Sequence, residues 1–268
     1  MGELVFIGLG LFDEMDMSLR GLEEARQASF VYAELYTSLM ASLSLEHLKK
    51  IAGKDVTVVS RKVLEEENGE PILEKAERSK VAFLVPGDPL IATTHIDLRI
   101  RAEKRGIKTR VVHGASVTSA VMGLSGLQNY RFGRSVTIPF VEGGFASETP
   151  YNVIGENKTR NMHTLCFLDI KAEERRYMTI KEALELLLKS EKERKQNVVI
   201  RDSLAVGVAR AGAEDVAVKA EKVRNLLGFD FGPPPHVLVL PADKLHFMEA
   251  EALIELAHAP EWVREMTR

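Results

Sequence analysis

Four short runs hold the residue types from which a ligand site could be built: Gly8-Leu9-Gly10-Leu11-Phe12-Asp13, Glu34-Leu35-Tyr36-Thr37-Ser38, Pro86-Gly87-Asp88-Pro89 and His113-Gly114-Ala115-Ser116. Glycine lets backbone approach a ligand closely, and proline fixes a loop's shape. Glycine-rich turns are also common in α/β folds that bind nothing there. Gly8 and Gly10 fit the first two positions of Gly-x-Gly-x-x-Gly, but the third falls on Asp13, which disfavours a nicotinamide oxidoreductase. There is no Gly-x-x-x-x-Gly-Lys-Ser/Thr phosphate loop. The seven histidines are scattered, with no His-Glu-x-x-His and a single cysteine, so no metal site is expected. Glu34, Tyr36 and His95 are the candidates for moving a proton, although His95 reads equally well as a polar residue at a helix start.

These runs fall where strands should end. The first 115 residues alternate strand-like and helix-like segments. Leu4–Ile7, Phe30–Ala33, Val56–Val59, Val81–Val85 and Thr109–Val112 read as strands. Between them, Ser18 caps a helix with Leu19, Leu22 and Ala25 on one face. Ser44 caps a second with Leu45, Leu48 and Ile51 inward and Gly53 as its stop. Pro71 opens a third helix, and Ile96–Arg105 forms a fourth whose Arg99, Arg101, Lys104 and Arg105 read as a solvated face. This β-α-β-α order implies a parallel sheet covered on both faces. Ligands of such sheets collect beyond the carboxyl ends of the strands.

The second half is mixed. Val136–Val141, Thr164–Leu168, Leu204–Ala209 and Val237–Leu240 read as strands, and Glu249–Ala257 as a helix. Thr179-Ile-Lys-Glu182 is a capping box before a helix carrying Ala183, Leu184, Leu187 and Leu188. The expected architecture is two α/β domains with a cleft between them, an N-terminal domain over residues 1–122 with a parallel sheet and a C-terminal domain over 123–268 with a mixed sheet. The join falls near Gly123–Arg134.

Composition narrows the class. The 268 residues are 45% hydrophobic and 28% charged, enough for a sizeable core. A net charge of −3 argues against a dedicated nucleic-acid binder. One cysteine, Cys166, excludes an internal disulfide and fits a reducing compartment; its apolar neighbours make it a core residue. Phe6 stands where a myristoylation motif needs Ser or Thr, and no basic leader precedes the first strand. Residues 111–130 lack charge but carry too many polar groups to span a bilayer. A soluble, cytoplasmic protein is expected.

Taken together, the loops resemble the diphthine synthases, within the wider tetrapyrrole-methylase fold. The resemblance runs through Phe6-Ile7-Gly8-Leu9-Gly10-Leu11 and Tyr32-Ala33-Glu34-Leu35-Tyr36-Thr37-Ser38. Its most specific part is Phe83-Leu84-Val85-Pro86-Gly87-Asp88-Pro89-Leu90-Ile91-Ala92-Thr93-Thr94-His95. It continues in His163-Thr164-Leu165, Leu168-Asp169-Ile170-Lys171, Ala209-Arg210-Ala211-Gly212 and Pro235-His236, and so covers nearly the whole chain. It implies an S-adenosylmethionine-dependent methyltransferase, usually a homodimer, with the cofactor between the two domains. The implied substrate is translation elongation factor 2. The methyl acceptor is the amino group of the aminocarboxypropyl arm on its modified histidine, and the product is diphthine, on the route to diphthamide. Carried over, Leu11, Asp88, Ile91, Ser116 and Val117 touch the cofactor from the first half, and Leu168, Ala211 and His236 from the second.

Tetrapyrrole methylases proper tend to have Gly-x-Gly-Pro-Gly-Asp in the first loop; Leu11 and Phe12 replace the Pro-Gly here. That departure points away from a methylase acting on a tetrapyrrole or another small molecule, which is the same-fold alternative. A non-enzymatic, translation-associated binding protein is the alternative of another class, and it would bind S-adenosylmethionine without turning it over. An α-amino group has a pKa of about 7.7–8.0, so deprotonating it at pH 7 costs only about 1–1.4 kcal/mol. Burial lowers that further. The resemblance therefore demands no dedicated general base, and the sequence assigns none.

Overall fold

The computed structural model describes residues 2–143 and 146–267. The chain separates into two compact units. The first runs through Val117 and takes in Ala172–Glu174; the second comprises Thr118–Lys171 and the chain from Arg175 onward. The division thus falls at the start of a helix, five residues before the expected 122/123 join. No helix among the described residues is long and apolar enough to cross a membrane.

In the first unit, strands β1 (Glu3–Gly8), β2 (Phe30–Glu34), β3 (Val56–Val59), β4 (Lys80–Val85) and β5 (Lys108–Val112) form one parallel sheet in the order β3-β2-β4-β1-β5. Both faces of the inner strands β1, β2 and β4 are largely buried, so these read as nearly continuous apolar runs, whereas the edge strands β3 and β5 carry exposed residues. Leu4 and Phe6 of β1 face a core with Phe83 and Val85; Val5 and Ile7 face the other, with Ala82 and Leu84. Helices α1 (Leu19–Gln27) and α2 (Leu45–Ala52) cover the second face, and α3 (Glu70–Ala76) and α4 (Ile96–Lys104) the first. Ser18 and Ser44 cap α1 and α2 as expected, and Gly53 ends α2 in the left-handed region. Leu19 corrects the expected apolar face: it is 87% exposed, while Leu22 packs partly buried against the core and Gly21, Glu24 and Ala25 are buried. Glu24 lies inward because Arg110 and Lys80 pair with it, Arg110 also binding Glu3.

This order places two topological switch points beside β4. The chain leaves β1 and β2 toward α1 and α2 on one face, and leaves β4 toward α4 on the other. Diverging connections open crevices at the carboxyl ends of β1/β4 and β2/β4.

Helix α5 (Val117–Ser125) leads into the second unit. There β6 (Val136–Ile138), α6 (Thr149–Thr159) and β7 (Thr164–Leu168) are followed by a hairpin of β8 (Ile170–Lys171) and β9 (Arg176–Tyr177). Then come α7 (Ile180–Arg194), β10 (Leu204–Ala209), β11 (Ala217–Lys222), α8 (Val223–Leu226), β12 (His236–Leu240) and α9 (Phe247–Ala257). The main sheet runs β11-β10-β12-β7-β6, antiparallel except for β6 beside β7, so it is mixed. The Thr179/Glu182 capping box starts α7, whose Ile180, Ala183, Leu184 and Leu187 enter the core. Cys166 is fully buried in that core, where burial pushes its thiol pKa up. Glu249 of α9 is fully buried; it accepts hydrogen bonds from Gln128 N, His246 N, His163 Nε2 and Arg131. His163 Nδ1 accepts the Ala242 N–H, so its proton sits on Nε2, facing Glu249.

Candidate functional site

The turns after β1, β4 and β5 meet at the carboxyl edge of the parallel sheet. Gly10 and Gly87 form a bridge, with Gly87 N donating to Gly10 O at 2.7 Å and Gly10 N to Gly87 O at 3.3 Å. A side chain at Gly8 would put its Cβ 2.5 Å from both Gly114 N and Gly87 O, so only glycine permits this approach. Gly87 has φ +69°, and where a Cβ would stand the nearest atom is Ala115 O at 4.0 Å. A Cβ at Gly87 would thus meet Ala115 O in ordinary van der Waals contact, and the left-handed backbone rather than crowding sets this glycine.

Asp88 is 6% exposed, and both its oxygens are engaged. Oδ1 accepts the Leu90 N–H at 3.1 Å, and Oδ2 lies 2.7 Å from Nδ1 of the exposed His113. The first contact shapes the turn; the second ties it to the turn after β5. Each carboxylate oxygen keeps a further acceptor position. Ile91 follows on the same loop, 46% exposed, and Ser116 and Val117 lie just past His113. Leu11 follows the Gly10 bridge. The first unit thus gathers Leu11, Asp88, Ile91, Ser116 and Val117 around the ends of β4, β1 and β5. His113 also belongs there; the sequence placed it in the run after β5 but gave it no role of its own. A His-Gly pair at a strand end is its only local sign.

The broken dinucleotide fingerprint has a structural cause. Asp16 Oδ2 accepts the N–H groups of Leu11 and Phe12 at 3.0 and 2.7 Å, and Asp13 caps the following turn through Met15 N. The amides that would receive a pyrophosphate are bound by the chain's own carboxylate.

One strand over, the turn after β2 is built on Glu34, which is fully buried. Its carboxylate accepts Tyr36 N–H at 3.0 Å, Thr37 N–H at 3.1 Å, the Thr37 hydroxyl, and His95 Nε2–H at 3.0 Å. Four donors occupy its acceptor positions, so Glu34 anchors the turn. His95, 2% exposed, packs edge-on against Phe83 and Tyr36. Its expected alternatives, helix-end polar residue and proton carrier, resolve structurally to a buried tie between β2 and the start of α4.

In the second unit, Leu168 ends β7, Ala211 follows β10 and His236 begins β12, all at one end of the sheet. Ala211 and Leu168 are buried. Arg210 N donates to Pro235 O, and the Arg210 guanidinium binds Phe231 O, Pro233 O and Asp215. His236 Nδ1 accepts the Ile180 N–H at 3.3 Å, so Nε2 carries the proton toward Gly232 O at 3.0 Å. Burial holds its pKa below the ordinary histidine value. Among the described residues, no cluster of three or more metal-ligating side chains occurs.

Known proteins match this chain over nearly its whole length. Residues 3–226 match the model of the Tetrapyrrole (Corrin/Porphyrin) Methylases. The chain is 51% identical to the diphthine synthase of Methanosarcina mazei over 98% of each sequence. It is 47% identical to that of Methanothermobacter thermautotrophicus, again over 98% of each. A crystal structure of a diphthine synthase superposes with a TM-score of 0.89 at 44% identity, covering 98% of this chain and 99% of that one.

Proposed function

The chain belongs to the tetrapyrrole methylase family and groups with its diphthine synthases, and on that premise we propose that it methylates the aminocarboxypropyl-modified histidine of translation elongation factor 2, with S-adenosylmethionine as donor, to give diphthine. The glycine-packed turns after β1, β4 and β5, with the buried Asp88 held between Leu90 N–H and His113, carry this assignment. Backbone that a Cβ cannot enter, at a topological switch point, suits a flat or extended nucleoside-like ligand.

Leu11, Asp88, Ile91, Ser116 and Val117 are the proposed cofactor contacts of the first unit, and Leu168, Ala211 and His236 those of the second. Bound there, S-adenosylmethionine supplies a sulfonium methyl to an attacking amine. Asp88, fixed by Leu90 N–H and His113, offers a preset acceptor for a polar group. His236, held neutral and in one tautomer, presents a rigid ring edge. Positioning is the main contribution asked of such residues, because in-line attack gains most from orientation. The enzyme is proposed to work in the cytoplasm as a homodimer; the single, buried Cys166 suits a reducing compartment.

The test offers labelled S-adenosylmethionine with three acceptors: elongation factor 2 bearing the arm, the unmodified factor, and a tetrapyrrole precursor. Mass increments are expected on the first alone, because imidazole presents no aliphatic amine on a flexible arm. Methylation of the tetrapyrrole but not of the modified factor would overturn the assignment.

A further inference from the structure

The phenol oxygen of Tyr36 is the sole buried side-chain polar atom without a hydrogen-bond partner among the described residues. Tyr36 is 7% exposed, and its backbone N–H is committed to Glu34. A buried hydroxyl left unpaired costs stability, so native structures rarely keep one without a use. Tyr36 lies two residues past the end of β2, the neighbour of β4 in the sheet, and packs in the buried cluster that holds Phe83 and Val85. The Arg61 guanidinium, just past the end of β3, lies 5.2 Å from the Tyr36 ring centre. Arg61 is held only loosely, by Glu65 at 3.9 Å with both side chains substantially exposed, so its charge is available. Burial, reinforced by the Glu34 and Glu65 carboxylates and opposed by Arg61 and by the Thr94 hydroxyl nearby, which lies outside hydrogen-bonding geometry, pushes the phenol pKa up, so the hydroxyl keeps its proton as a donor.

An O–H donor on a ring that a weakly paired guanidinium overlies matches a carboxylate. We propose that Tyr36 Oη and Arg61 form the subsite for the α-carboxylate of the substrate's aminocarboxypropyl arm. This rests on the function proposed above and deepens it. Holding the carboxylate fixes the carbon that also bears the reacting amine, so the subsite orients the nucleophile as well as selecting the modified histidine. Glu34 and His95 act through Tyr36 as positioning residues, gripping its backbone and its ring edge.

Tyr36→Phe deletes the unpaired oxygen and keeps the ring. The experiment measures melting temperature, S-adenosylmethionine affinity and methyl-transfer kinetics for wild type and variant. Each is assayed on elongation factor 2 carrying the arm as the carboxylate and as the neutral carboxamide. The wild type is expected to prefer the carboxylate by roughly 10- to 100-fold in kcat/KM, the range for losing a charge-assisted hydrogen bond. The variant is expected to lose most of that preference through KM, with cofactor affinity unchanged and melting temperature equal or higher. Arg61→Gln should erode the same preference. Full discrimination in Tyr36→Phe, or a fall in its stability or cofactor affinity, would overturn the subsite and make Tyr36 structural. If the wild type methylates neither form, the functional assignment itself fails and the subsite falls with it.

Discussion

Asp88 Oδ2 lies 2.7 Å from His113 Nδ1, joining the turns that follow the strands on either side of β1. The pair holds the Gly-Asp-Pro turn against the turn after β5 with a carboxylate that still has acceptor capacity. The loop is thereby set before any ligand arrives, which reduces the ordering cost of binding.

Asp88→Ala is expected to weaken S-adenosylmethionine binding by about 1.5–3 kcal/mol, the range for hydrogen bonds to charged groups. Asp88→Asn keeps an oxygen for the Leu90 N–H and should lose less. Calorimetry on folded variants measures both; full affinity in Asp88→Ala removes this residue from the cofactor contacts.

Two glycine substitutions should have opposite signs. A Cβ at Gly114 would stand 2.5 Å from Gly87 O and 2.9 Å from Gly8 Cα, all backbone that cannot swing aside. Gly114→Ala should cost about 1–3 kcal/mol and lower activity beyond its effect on folding. Gly123, inside α5, has nothing within 4 Å of its added Cβ. Gly123→Ala should stabilise by up to about 1 kcal/mol through helix propensity. Thermal melts decide both, and equal effects would contradict the packing described here.

Acid should unfold the protein through Glu249. Burial alone would raise its pKa, but hydrogen bonds from His163, His246 N and Gln128 N bring it down to about 2 from an ordinary 4.5. The folded value lies below the unfolded one, so its stabilisation is complete above about pH 4.5 and lost as pH falls through 2. Linkage limits that contribution to about 3 kcal/mol. Glu24, held at about 2 chiefly by Arg110, adds loss over the same window. Denaturation of Glu249→Gln at pH 7 and pH 3 checks this: the deficit relative to wild type should shrink with acid, and a constant deficit would refute it.

The sequence by itself determined what local spacing encodes. Runs such as Val81–Val85, Thr164–Leu168 and Leu204–Ala209 became strands with little change, because two-sided burial demands unbroken apolar residues. The Thr179/Glu182 box fixed the start of α7 because its hydrogen bonds close within four residues. Helix α6 and strand β11 escaped notice. The first carries Gly155 and two asparagines, and the second is a charged edge strand, so tertiary contacts outweighed their weak local preferences. Only the tertiary structure decided that Leu19 faces water, that Asp16 fills the amides after Gly10, and that Tyr36 keeps an unpaired hydroxyl. Likewise, 25 residues separate Asp88 from His113, and 61 separate Glu34 from His95. Such pairs are set by the order in which parallel strands lie side by side, which no periodicity within one segment records.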